Sequence, residues 1–344
     1  MTFPYHMKEG VLYISPETTP GTPIAIATLA VGANAGIPIY DLTYTPDVKR
    51  EVRTPDNYST QSIPGVHGVK SAKIKFKTDV FTSGTAGTAP VLDPLFLACW
   101  FKKTVVASTS VTYTEDNTGM NGGSTRNTLT MAVGKRSNDG TKEILSLICG
   151  AAGSSWSMSG VVNSQQRLMI EWEFEGKIPS YAGVLTGRAD TPSIPSSITY
   201  PDVTSDLVRF YGLTTTSGLW TRQINNFKFD RKIKASLTID SSDLSGYGAM
   251  NWEAGDPTVT IDPYLVPVSV FDDLSQYLTG AIQTSAGFTT GATAGKIFTA
   301  TWPNLQVAKV ADKADGVNIR SEFELQATRT QTGIVADAFS LVFA

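Results

Sequence analysis

A nine-residue run near the middle of the chain, Arg167-Leu168-Met169-Ile170-Glu171-Trp172-Glu173-Phe174-Glu175, alternates without interruption. Leu168, Ile170, Trp172 and Phe174 share one side, and Glu171, Glu173 and Glu175 share the other. A repeat of two is the spacing of an extended strand; on a helix the same residues would scatter around the axis. The run is therefore predicted to be a strand with one buried and one wet face. Three carboxylates in a row repel one another, so their face must meet water or something that accepts negative charge.

The same pattern returns in Asn318-Ile319-Arg320-Ser321-Glu322-Phe323-Glu324-Leu325-Gln326, with Phe323 and Leu325 set against Glu322 and Glu324. The surroundings of the two runs also correspond. Ahead of the first come a strand at Ile39–Thr45, a polar loop 47–68 and an alternating strand at Val69–Val80. A helix follows, striped by Val91/Leu92, Leu95/Phe96 and Cys99/Trp100, and then further strands at Val105–Tyr113, Thr128–Val133, Lys142–Ile148 and Ser154–Val162. Ahead of the second come a strand at Asn225–Ile233, a loop 234–256 and a strand at Pro257–Val266. Next is a helix N-capped by Ser269 with Asp272 as its capping-box acid, an apolar stripe of Phe271, Leu274, Tyr277 and Leu278, and a stop at Gly280. Strands at Lys296–Trp302 and Asn304–Val310 complete that series. The shared order predicts an internal duplication: two tandem β-sandwich domains, each with one packed α-helix, in a mainly β chain. The expected boundaries are a Pro-rich extended N-terminal arm 1–37, a first domain 38–189, a linker 190–201 around Thr191-Pro192-Ser193-Ile194-Pro195, and a second domain 202–344.

Composition narrows the function. Hydrophobic residues make up 41% and charged residues 17%, enough apolar material for buried cores and against a disordered chain. A net charge of -3 disfavours a protein that holds nucleic acid by neutralising phosphates, though not one that lets nucleic acid pass. Cys99 and Cys149 read as two reduced core thiols rather than a disulfide framework. His6 and His67 both lie in Pro/Gly-rich segments, which gives no oriented catalytic base and no metal-ligand spacing. Gly291-Ala292-Thr293-Ala294-Gly295-Lys296-Ile297 is one residue short of a phosphate loop and lacks the hydroxyl residue after the lysine. No catalytic, cofactor-binding or metal residue is expected, and the chain reads as a non-enzyme. No secretion signal or bilayer-spanning run is seen, so the expectation is a soluble cytoplasmic product with no membrane partner.

Lys73, Lys75 and Lys77 line one face of the alternating strand that precedes the first helix. Such a stripe is most simply a solvated face; the sharper expectation is a contact with the acidic face of a neighbouring subunit. Tyr58, Tyr247 and Trp252 sit in the two long loops and are expected to anchor contacts between subunits, with the domain core as the alternative.

Four stretches together resemble the major tail tube proteins of long-tailed bacteriophages, in their internally duplicated form. They are Lys8-Glu9-Gly10 through Pro16-Glu17-Thr18-Thr19-Pro20-Gly21-Thr22, the strand and charged loop Leu42–Arg53, the pair Gly68–Phe76 and Ala89–Cys99, and the two acidic strands. Where many members carry Tyr-Gly-Thr, this chain has Pro20 ahead of Gly21 and Thr22. The resemblance implies a tail-tube-like β-sandwich whose sheets join edge to edge into a closed barrel, with rings stacked into a hollow tube through which viral DNA is ejected. It implies a virion location, with assembly in the host cytoplasm beside other tail proteins. Two tube domains per chain imply a ring of three chains with pseudo-sixfold symmetry, a ring of six being the alternative. It also implies that Glu171, Glu173, Glu175, Glu322 and Glu324 face the channel, where double-stranded DNA passes transiently and without sequence preference. The competing readings are another multimeric virion component, such as a capsid or tail-tip protein, and a carbohydrate-binding β-sandwich.

Overall fold

The computed structural model describes residues 5–29, 37–53, 63–116, 127–137, 143–161, 167–190, 208–209, 213–329 and 337–344. The first half contains β1 (Tyr5–Pro16), α1 (Ile26–Leu29), β2 (Ile39–Arg53), β3 (Ile63–Asp79), α2 (Asp93–Ala98), β4 (Phe101–Val106), β5 (Ser110–Glu115), β6 (Leu129–Ser137), β7 (Glu143–Val161) and β8 (Met169–Lys177). Short strands β9 (Ser180–Tyr181), β10 (Val184–Leu185) and β11 (Arg188–Asp190) follow. The second half contains β12 (Thr214–Thr215), β13 (Ile224–Asp230), β14 (Ile233–Ile239), β15 (Tyr247–Ala254), β16 (Thr258–Pro263), α3 (Asp273–Leu278), β17 (Ile282–Thr290), β18 (Phe298–Asp315), β19 (Asn318–Thr328) and β20 (Ser340–Phe343). The fold is mainly β, as the alternation predicts.

Strand order repeats. The first half pairs as β2-β3-β8-β7 and the second as β13-β16-β19-β18, antiparallel throughout. The outer strands repeat as well: β1 on β6 on β7 is matched by β12 on β17 on β18, and β11 on β7 by β20 on β18. The halves do not close separate cores. One hydrophobic cluster runs from Leu12 to Phe343, and Asn226–Asp230 of β13 pairs with Ser157–Val161 of β7, so one sheet continues from half to half. Trp156 and Phe229 pack edge to face under that joint, their ring centres 5.4 Å apart. The expected linker 190–201 lies outside the described residues except for Asp190.

Several expectations change in detail. The N-terminal segment is not an arm: β1 pairs with β6 and buries Leu12, Tyr13 and Ile14. The loop 47–68 is largely the outer part of a hairpin, because β2 runs through Pro46 to Arg53. Proline lacks an N–H but is tolerated on an edge strand, where one side of the backbone has no partner strand to donate to. The loop 234–256 is likewise a hairpin, β14 on β15. The two strands expected at Lys142–Ile148 and Ser154–Val162 are one strand, β7, bent where the register slips between Cys149 and Ala152 around Gly150, whose φ is 58°. The pair expected at Lys296–Trp302 and Asn304–Val310 is likewise one strand, β18.

The helices diverge most. In α2, Leu95, Phe96 and Ala98 are fully buried, and β4 packs against the helix. In α3 the expected apolar stripe does not face the core: Leu274 is 60% and Leu278 73% exposed, while the buried residue of the helix is Asp273 and Ser275 and Gln276 are half-buried. Its N-cap is Asp272, whose carboxylate accepts the Ser275 N–H, rather than Ser269; Gly280, at φ 61°, follows the last turn as expected.

Candidate assembly interface

The two charged stripes meet inside one chain. β3 lies between β2 and β8 with Lys73 opposite Glu175, Lys75 opposite Glu173 and Lys77 opposite Glu171. With Ile74, Phe76, Trp172 and Phe174 taken into the core, the lysines and glutamates share the face that points away from it. Lys73 Nζ lies 3.3 Å from Glu173 and 3.6 Å from Glu175, and Lys75 Nζ lies 2.5 Å from Glu171. Lys77 turns to Asp41 of β2, at 2.7 Å. All three lysine pKa values are raised. Partial burial opposes the rise at Lys73, but Glu175 and Glu173 outweigh it; at Lys75 and Lys77 the leading cause is the hydrogen bond to Glu171 and to Asp41 respectively. The acidic partner that the sequence assigned to a neighbouring subunit is thus supplied by the same chain. The row Glu171, Glu173, Glu175 is not a bare acidic wall, since a lysine stands across the strand from each member. In the second half Glu322 meets Lys313 at 3.3 Å, and Glu324 stands opposite Lys309.

The loop aromatics require a correction. Tyr247 and Trp252 are buried within the chain and are not exposed anchors for a neighbour. Hairpin β14–β15 folds back over the first half, where Trp252 stacks on Trp100 with ring centres 4.4 Å apart. Lys177 reaches Asp243 at 2.5 Å, and the Lys70 N–H donates to the Ser245 carbonyl at 2.8 Å. Gly246 permits the approach: its φ is 79°, and a Cβ there would stand 2.6 Å from Val69 Cγ1. Tyr58 lies outside the described residues.

Arg231 marks the point where this hairpin departs from the sheet, and nothing in the sequence singled it out. It lies between β13 and β14, is fully buried, and donates to the Cys99 carbonyl at 2.7 Å. Its guanidinium stands 3.6 Å from Glu115 and faces the ring of Phe101 at 4.7 Å. Burial lowers its pKa to about 10 despite Glu115, which leaves it charged at neutral pH. It belongs to the second half, while Cys99, Phe101 and Glu115 belong to the first, so this buried cation ties the halves together, as Lys177 and Asp243 do nearer the surface.

A buried aspartate closes the equivalent strand in each half. Asp79 of β3 accepts from Tyr40 at 2.9 Å and pairs with Arg167 at 3.0 Å. Asp262 of β16 accepts the N–H groups of Asn225 and Asn226, and Arg320 donates to its carbonyl. Burial raises the Asp79 pKa, with Tyr40 and Arg167 pulling the other way. A sequence signal for the first of these existed in the acidic residue at the end of an alternating run, but its partners come from other strands.

Among the described residues no group of three or more His, Cys, Asp or Glu could hold a metal ion, and no helix is long and apolar enough to cross a membrane. Cys99 and Cys149 are both buried and unbridged, and burial raises their thiol pKa values above the usual range. No family model and no curated protein matches the chain.

Proposed function

We propose that this protein is a structural subunit of a bacteriophage tail tube, polymerising into stacked rings around a channel for viral DNA. The observation that carries this reading is the edge joint between β7 and β13. Two units with the same strand order meet there by backbone pairing, which suits a sheet continued by further copies. Closing such a sheet on itself removes the exposed edges that would otherwise aggregate. With two units in each chain, a ring of three chains has pseudo-sixfold symmetry. The partners are then other copies of the chain, other tail proteins, and double-stranded DNA in transit.

The mixed face of β3 and β8 revises the mechanism expected for the channel. Lys73, Lys75 and Lys77 balance Glu171, Glu173 and Glu175, so a wall of this composition has little net charge. Phosphates are held where cations release counterions from DNA; lysines already paired with carboxylates offer little of that drive, so DNA slides. Negative-stain microscopy of the purified protein at rising concentration tests the reading. Rings or hollow tubes are expected, and a monomer at every concentration overturns it.

A further inference from the structure

One edge within the sheet repeats the internal joint without its partner: the first part of β18 carries β17 and β20, and the path runs on to β5 and β4, but its later part has one neighbour among the described residues. Shared register aligns the halves: Ser157 of β7 stands opposite Glu171, as Lys309 of β18 stands opposite Glu324. In β7 the stretch Ser157–Val161 carries β13 on its other side. The matching stretch of β18, Lys309–Lys313, pairs with β19 alone among the described residues and is largely exposed. Among the described residues β2, which matches β13 and begins the strand path, pairs with β3 alone.

The surroundings of the β18 edge are unfinished in the same sense. Met158, opposite Phe229 of β13, is fully buried. Its counterpart Val310 is only partly covered and lines a groove of about 270 Å³ with Leu265, Val268, Phe271 and Leu274. Leu265, Val268 and Leu274 are all exposed. This is the side to which α3 turns Leu274, a costly arrangement in water unless something apolar covers it. On β2 the residues matching Phe227 and Phe229 are Ile39 and, at a bulge beside Asp41, Leu42; both are half-buried and lie against their own core.

We propose that β2 of one copy adds antiparallel to the Lys309–Lys313 edge of β18 in a second copy, with Leu42 capping the groove beside α3. The register follows from the internal joint. Lys228 opposite Ser159 becomes Tyr40 opposite Ala311, and Asp230 opposite Ser157 becomes Thr43 opposite Lys309. The contact is heterologous, since each copy donates one edge and accepts at the other, so it propagates around a ring rather than ending at a dimer. The inference rests on the proposed function and adds the identity, direction and register of the two surfaces.

The test is a cysteine pair, Thr43→Cys with Lys309→Cys, in the full chain. Cα atoms on directly opposed residues lie within disulfide reach, whereas Thr43→Cys with Asp315→Cys is displaced by six residues, about 20 Å. Under mild oxidation the first pair is expected to give a ladder of covalent multimers on a non-reducing gel, and the displaced pair and the single variants almost none. A companion variant, Leu274→Glu, is expected to lower assembly at least tenfold by light scattering while its circular dichroism matches that of the parent chain. Multimers that form but do not cross-link in the first pair, that cross-link equally in the single variants, or that survive Leu274→Glu unchanged overturn this interface and leave the assembly reading standing. A parent chain that stays monomeric at every concentration overturns both.

Discussion

The hairpin β2–β3 and its counterpart in the second half begin alike and finish differently. In the first half one ladder runs from Ile39 opposite Thr78 out to Arg53 opposite Ile63, and Thr45–Glu51 are exposed throughout. In the second half the ladder stops at Asp230 opposite Thr258; the chain turns through Arg231 and Lys232, the latter at φ 54°, and a separate ladder β14–β15 lies back over the first half. Pairing is equally available to both, so the hydrogen bonds of the hairpin do not decide between them. The difference is what the side chains find. Arg231 finds Cys99, Phe101 and Glu115, and Trp252 finds Trp100. Among the described residues the outer part of the first hairpin, Thr45–Glu51, is exposed and meets no such surface, and an unsupported two-stranded hairpin is only marginally stable in water.

The sharpest way to break this comparison is to remove the tie at the turn. Arg231→Ala is expected to destabilise the chain by about 4 kcal/mol, because it empties a buried site and leaves Glu115 uncompensated. Denaturant unfolding reads this directly; a loss under about 1 kcal/mol would show that the fold-back does not depend on Arg231. Trp252→Ala follows, at about 3 kcal/mol, since it vacates the stack on Trp100 inside a packed core. The equivalent hairpin in the first half should respond far less. Val66→Ala there is expected to change stability by no more than about 0.5 kcal/mol, as for exposed positions generally; a loss like that of Trp252→Ala would erase the contrast between the hairpins.

The smallest effect belongs to the charged ladder. Lys75→Ala is expected to cost less than about 1 kcal/mol, because both partners of the pair are well exposed to solvent. Its pH dependence has a definite sign. The lysine pKa values are raised in the folded chain, so the contribution is present at neutral pH and disappears as pH rises above the ordinary lysine range. Thermal unfolding at pH 8 and above pH 11 reads this: the parent chain should lose more on alkalinisation than Lys75→Ala does. Equal losses would mean that Lys75 is not the group responsible.

The legible parts of the structure are those written in local periodicity. Alternation at Val69–Val80 and Arg167–Glu175 placed β3 and β8 and told the wet side of each from the buried one. Correspondence of element order between the halves pointed to the repeat now seen in strand pairing. Continuity was harder to read. Pro46 and Pro303 look like strand ends in a linear reading, yet β2 and β18 pass through both, because a proline disturbs only the side of a strand that would receive its N–H.

The candidate interface was less legible than the fold. Lys73, Lys75 and Lys77 were visible as a stripe, but their partners were not, since a strand's neighbour depends on register between segments about a hundred residues apart. Trp252 and Tyr247 looked like contacts for another subunit because aromatic residues in polar loops are anchors of some kind; only the fold shows that both are buried within the chain and that Trp252 stacks on Trp100 of the first half. Leu274 and Leu278 formed a helical stripe by spacing alone, and spacing carries no information about which side of a helix the core lies on.

The sequence by itself determined which segments are extended and which of their faces are apolar, because both follow from side chains two residues apart. It also determined the repeat, because the same order of patterns occurs twice. The tertiary structure alone decided that the two halves share one sheet and one large core cluster, that the two charged stripes pair with each other, and that the outer edge of β2 and the Lys309–Lys313 edge of β18 carry no further strand among the described residues. Those outcomes depend on backbone pairing and packing between distant segments, and a linear pattern does not specify which strand lies beside which.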